Sequence, residues 1–162
     1  MNMRILSLTY EYPPVGGGGG VVAAALNKTL VAQGHSIDVV TSAMHDLPVF
    51  EKVDGARVYR AWCWRRHRHY STALELSTTL ASAYKAAAKL IEEQHPDLIH
   101  THFVVPSGLV ARALSGRYHI PYVLTAHGSD IPHYNPDRFD ALHSLLSPFS
   151  HRPVSLALSG QS

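Results

Sequence analysis

The sequence predicts an α/β fold, a doubly wound and mostly parallel sheet with helices on both faces, and three observations carry that reading. Short apolar runs of strand character alternate with longer amphipathic stretches along the chain. Five consecutive glycines, Gly16 to Gly20, join the first apolar run to the first helical stretch. The residues with most chemical potential (the glycine run, His100 to His102, and His127 to Asp130) each end or follow a predicted strand, where ligands collect in such sheets.

Arg4 to Thr9 reads as a buried first strand, and Pro13-Pro14 forbids its continuation. Helical spacing of Val22, Leu26, Thr29, Leu30 and Gln33 predicts a helix over Val21 to Gln33, with Gly34 placed to end it. Ser36 to Thr41 is a second strand. The turn Asp54-Gly55 separates Phe50 to Val53 from a strand over Ala56 to Trp62. Trp62 to Tyr70 has no clear period and reads as a basic, aromatic loop. The longest helix runs from Ala73 to Gln94, where Leu76, Leu80, Tyr84, Ala87 and Ile91 trace an apolar stripe that stops before His95-Pro96. Asp97 to His102 gives a strand, Pro106 to Leu114 a short helix with proline in its first turn, and Tyr122 to Thr125 another strand.

Length and composition set bounds on function. The 162 residues suit one domain, 46% of them are hydrophobic and 16% charged, and disorder is thereby excluded. A formal charge of +2 lacks the basic excess of a dedicated nucleic-acid binder. The single cysteine, Cys63, forms no internal disulfide, and no finger spacing of Cys and His occurs, which fits a reducing cytoplasm. The apolar run at Ile5 to Leu8 is too short for a signal sequence or a membrane span.

A glycine run before a helix offers backbone N–H groups and positive potential to a phosphate or another anion; a plain flexible connector is the alternative. Gly18, Gly20 and Ala23 also satisfy a dinucleotide-binding pattern, but the loop is too long and Asp38 lies inside the second strand rather than at its end. Lys28-Thr29 sits too far into the helix for a Walker loop. His100 and His102 share one side of a strand at metal-ligand spacing, without the Cys or carboxylate partners that would complete a metal site. His127 can donate to a phosphate or a developing oxyanion, with Ser129 and Asp130 available to fix its tautomer; otherwise it is a turn histidine bonded to backbone. No serine stands in a nucleophile elbow, so hydrolysis is set aside. Arg60, Arg65, Arg66 and Arg68 beside Trp62, Trp64 and Tyr70 could pair with phosphates while the rings cover sugar, lipid or base faces, or could form an ordinary solvated loop.

Four blocks in order carry a resemblance: Tyr-Glu-Tyr-Pro-Pro-Val-Gly-Gly-Gly, Leu-Val-Ala-Gln-Gly-His-Ser-Ile-Asp-Val-Val-Thr, Pro-Asp-Leu-Ile-His-Thr-His-Phe, and Pro-Tyr-Val-Leu-Thr-Ala-His-Gly-Ser-Asp-Ile. From Arg4 to about Asn135 the chain resembles the N-terminal domain of family-4 glycosyltransferases, one Rossmann-like half of a GT-B fold. The resemblance implies a retaining transferase that moves a sugar from a nucleotide sugar to an acceptor held mainly by this half, with no metal or other cofactor. It places Gly16, Gly17 and Gly18 near the donor diphosphate and acceptor, has His102 line the cleft, and puts His127 beside the transferred sugar as the catalytic group. Ser129 and Asp130 belong to the same block, and the loop of Arg65, Arg66 and Arg68 would face the acceptor or a membrane.

Members of that family continue into a second domain that grips the nucleotide. Residues 1 to 162 are therefore expected to form a single acceptor-side domain without a donor half: an excised domain, one subunit of a split enzyme, or a remnant with a binding role. The resemblance extends a helix over Asp137 to Leu146 and a last strand over Val154 to Leu158, with Pro148 and Pro153 breaking the usual run between them. The partners it implies are a sugar or phosphorylated acceptor, a donor domain and the inner face of a membrane; self-association through an apolar patch on the open surface belongs to the rival reading. The rival class is a non-catalytic sugar-phosphate-binding or assembly module.

Overall fold

A computed structural model describes residues 2–63, 73–127 and 155–158, with the side chains of 73–77 and 155–158 outside the description. Among the described residues seven strands form one sheet, in the order β3-β4-β2-β1-β5-β6-β7. They are β1 (Arg4–Leu8), β2 (Ser36–Ser42), β3 (Phe50–Val53), β4 (Ala56–Ala61), β5 (Leu98–His102), β6 (Tyr122–Ala126) and β7 (Ser155–Leu158). Every neighbouring pair is parallel except β3 with β4. That exception is a hairpin whose turn residues Asp54 and Gly55 have φ of 47° and 86°, the doubly left-handed conformation that matches the twist of paired strands.

Alternation along the strands builds two cores. Leu6, Leu8, Val40 and Ile99 face the helices α2 (Ala73–Gln94) and α3 (Leu109–Tyr118), packing on Ala87, Leu90, Ile91 and Leu114. Ile5, Ile37, Val39 and Val58 face α1 (Gly18–Ala32) through Ala23. Helices thus cover both faces, as the alternating sequence requires. The strand order turns back at β1, which lies between β2 and β5, so the crevice of the sheet opens at the carboxyl ends of β1 and β5.

Two elements depart from expectation. Helix α1 starts at Gly18, inside the glycine run, and buries Gly20, Ala23 and Asn27, while Val21 and Val22 are exposed. The buried stripe is made of small residues because the helix lies close on the loop before it: a side chain at position 20 would sit 3.2 Å from the Glu11 carbonyl. Helix α3 begins only at Leu109, after a segment in which Val105 is extended (φ −129°, ψ 133°), and continues past Leu114 to Tyr118. The added turn is anchored on α2, where the Tyr118 hydroxyl donates to Glu92 at 2.6 Å and Arg117 donates to the Tyr84 hydroxyl at 3.4 Å. The helix expected over Asp137 to Leu146, and all but two residues of the Trp62 to Tyr70 loop, lie outside the described residues. Among the described residues no helix is long and apolar enough to cross a membrane.

Candidate functional site

The segment after β1 is held from several sides. Thr9 donates its hydroxyl to the Glu11 carbonyl at 2.7 Å, Ser42 donates to the Tyr10 carbonyl at 2.6 Å, and Arg60 reaches the Pro13 carbonyl at 3.2 Å. Buried Glu11 then turns its carboxylate back on the glycine run, where Oε2 accepts the Gly17 N–H at 2.9 Å. Gly16, at φ +99°, has no room for a side chain because Glu11 Cγ would stand 2.6 Å from its Cβ. The N–H groups of Gly18, Gly19 and Gly20 form the first turn of α1, to which the helix itself supplies no acceptor.

Across from that turn stand the ends of β5 and β6. Phe103, directly after β5, takes φ +71°, a strained value for a bulky residue. The conformation sets its ring between Tyr10 and His127, each 4.6 Å away between ring centroids. Gly19 fits against this pair only for lack of a side chain: a Cβ there would collide with the Phe103 ring and lie 3.2 Å from His127 Cγ. Half-buried His127 therefore meets the glycine turn through Phe103 and Gly19, although more than a hundred residues of sequence separate them.

Beneath it the histidines form a column. His102 has no exposed surface, stacks on His127 at 5.2 Å, and brings its Nδ1 to within 3.0 Å of His127 Nε2. His100 lies 4.4 Å further down the same side of β5 and pairs its Nε2 with the Thr125 hydroxyl at 2.9 Å. Burial lowers the pKa of His102 from the ordinary histidine value to about 3, and neighbouring His100 and His127 add to the shift. Burial, then His127, likewise lowers that of His100. Both rings are thus neutral near pH 7.

This carries a pH prediction. A histidine whose pKa is depressed by folding contributes stability that is complete above its unfolded value of about 6.5 and is lost as pH falls toward the folded value. For His102 the loss should run from about pH 6.5 down to about 3, at about 1.4 kcal/mol per pH unit. Urea midpoints measured across that range should flatten in a His102→Asn variant relative to the parent; equal slopes would show that His102 is not the titrating group.

Of the residues singled out from sequence, Gly16, Gly17, Gly18, His102 and His127 converge on this end of the sheet, whereas Ser129, Asp130, Arg65, Arg66 and Arg68 lie outside the described residues. His102 sits below His127, with no surface of its own on the cleft. Arg60 is no phosphate ligand: its side chain is fully buried and paired with Glu51 at 2.5 Å. Asp38 is likewise committed, accepting two bonds of 2.6 Å from Arg57, which removes the ribose contact a dinucleotide site would need. Sequence reasoning misses Glu11 and Phe103, and it does not single out Gly19 within the glycine run. The one local signal is the acidic residue just ahead of the glycine run.

A family model described as "Glycosyl transferase 4-like domain" matches residues 17–157. An uncharacterized glycosyltransferase of Methanocaldococcus jannaschii, MJ1178, is 45% identical over 136 residues, covering 79% of this chain and 33% of its own length. TuaC of Bacillus subtilis, whose name assigns it to glycosyl transfer in teichuronic acid biosynthesis, is 36% identical over 117 residues, covering 69% of this chain and 28% of its own length. The chain thus spans about a third of the length of these relatives. Among solved structures, sucrose-phosphate synthase from Thermosynechococcus elongatus superposes with a TM-score of 0.68 at 18% identity, covering 96% of this chain and 47% of that one. The calicheamicin glycosyltransferase CalG4 gives 0.56 at 20% identity, over 92% of this chain and 42% of that one. These likenesses establish the fold as one Rossmann-like half of the GT-B type.

Proposed function

The chain belongs to the glycosyl transferase 4-like domain family, and from that premise we propose that it is the acceptor-side half of a retaining, nucleotide-sugar-dependent glycosyltransferase. The observation that carries the proposal is the meeting of His127 with the first turn of α1, through Phe103, at the carboxyl ends of β1, β5 and β6. Such a place suits a ligand carrying both hydroxyl groups and phosphate. In this reading Gly16 and Gly17 shape the turn, Gly18 to Gly20 turn N–H donors toward the diphosphate, and His127 donates a hydrogen bond where charge develops during transfer. Ser129, Asp130 and the arginines at 65, 66 and 68 extend the acceptor side. The nucleotide sugar is the donor substrate, and neither metal nor cofactor is required.

The nucleotide itself falls to a second domain, and the chain acts in the cytoplasm, against the inner face of a membrane where the acceptor is anchored there. Residues 1 to 162 alone should then transfer no sugar, because half of the donor site is supplied elsewhere. The check is radiolabelled sugar transfer from UDP- and GDP-sugars by the purified chain, without and with a donor domain taken from a longer relative. Activity only in the mixture supports the reading; robust transfer by the chain alone overturns it. Exposed Val21 and Val22 on the first turns of α1 favour a second, non-catalytic reading in which this face assembles with a partner copy. Light scattering that finds a clean monomer at high concentration counts against it.

A further inference from the structure

We infer that His102 is a positioning residue that holds His127 as the neutral imidazole protonated on Nδ1. A neutral imidazole has one N–H and one lone pair, and the bond made by one nitrogen decides the state of the other. His102 is fully buried, its Nδ1 faces His127 Nε2 at 3.0 Å, and its Nε2 is buried with no hydrogen-bond partner among the described residues. Two arrangements satisfy the contact. With the His102 proton on Nδ1, His102 donates to His127 and the orphaned atom is a bare lone pair. With the proton on Nε2, His102 accepts from His127 and the orphan is a buried N–H.

Orphaned buried donors are the rarer and costlier defect, so the first arrangement prevails. His127 Nε2 is then an acceptor, and the proton of the neutral ring must lie on Nδ1. Burial keeps His102 itself uncharged. His127 is thus set up to donate a hydrogen bond from Nδ1 rather than to withdraw a proton through Nε2. The consequence for transfer rests on the proposed role of His127; the tautomer does not.

The test is ring-nitrogen NMR of the full 15N-labelled chain near neutral pH without ligand, assigned with His100→Gln, His102→Asn and His127→Gln variants. His102 and His127 should both show a pyrrole-type Nδ1 and a pyridine-type Nε2, the reverse of the tautomer that free histidine prefers. A proton on Nε2 of His127 overturns the inference. Replacing His102 by leucine should shift the His127 proton to Nε2, and replacing it by asparagine, whose amide stands near the lost Nδ1 and can donate, should leave it on Nδ1. A His127 that keeps Nδ1–H beside leucine removes the positioning role. The parent spectrum alone decides the tautomer if neither variant folds. The expected tautomers together with ligand binding indifferent to His127 would overturn the proposed function while leaving this inference intact.

Discussion

Replacing His127 with alanine should lower turnover about 100- to 1,000-fold in a transferase that contains this domain, the loss expected when one pre-aligned donor at a developing charge is removed. The ring is held for that task by Phe103 at 4.6 Å on one flank and by His102 at 3.0 Å through a hydrogen bond. Because substrate and transition state differ in charge, the loss should fall on kcat more than on KM. The ring is only half-buried, so the cost in stability should stay small by comparison, read as a Tm shift of a few degrees. Steady-state kinetics on the variant beside a melting curve separate the two effects. Unchanged turnover removes His127 from the reacting centre.

The second large effect is structural. Glu51→Ala should destabilise the domain by about 2 kcal/mol, below the cost of breaking a fully buried ion pair because the Glu51 side chain is 32% exposed while that of Arg60 is buried. The Arg60 side chain has no exposed surface, holds the Pro13 carbonyl at 3.2 Å, and has Glu51 as its carboxylate partner at 2.5 Å. Its Nε and Nη1 are buried without partners among the described residues, and burial already lowers its pKa. Without Glu51 the guanidinium is a buried charge with a single carbonyl to answer it. Urea denaturation should show the loss as a lower midpoint at constant slope, and pairing Glu51→Leu with Arg60→Met should recover much of it. A Glu51→Ala midpoint equal to the parent's would show that water, not Glu51, satisfies the guanidinium. The same pair ties the β3–β4 hairpin to the loop after β1, so the glycine turn should loosen with it.

The strands and the long helix α2 are legible in the sequence because their signals are local. Period-two and period-3.6 patterns, a turn at Asp54-Gly55 and the stop at His95-Pro96 each depend on a handful of neighbouring residues. The glycine run is harder to read. Glycine disfavours helix by about 1 kcal/mol relative to alanine, so Gly18 to Gly20 read as loop. Tertiary packing reverses that preference, because only glycine lets the first turn approach Phe103, His127 and the Glu11 carbonyl. The same close approach makes Gly20, Ala23 and Asn27 the buried face, which a search for large apolar residues cannot see.

At the site, His127 and the glycine run are legible because each sits beside a strand end, where the fold collects ligands. Their mutual distance is not, since it depends on the Phe103 backbone and on where β5 stops. Glu11 reads only as a polar interruption, and nothing local says that its carboxylate returns to Gly17. The resemblance assigns His102 to the cleft wall, and the structure sets it one layer beneath, as the support of His127. Arg60 reads as the start of a basic binding loop. Strand alternation instead turns it inward, onto Glu51 and Pro13.

The central claim, a cleft on the carboxyl edge that takes an acceptor-type ligand through His127, is tested most directly by ligand-observed NMR on the purified chain. The panel is NADH, UDP, GDP and a set of sugar phosphates, with His127→Ala as control. The account predicts selective binding of a sugar phosphate that disappears in the variant. Tight binding of NADH with the sugar phosphates silent would contradict it.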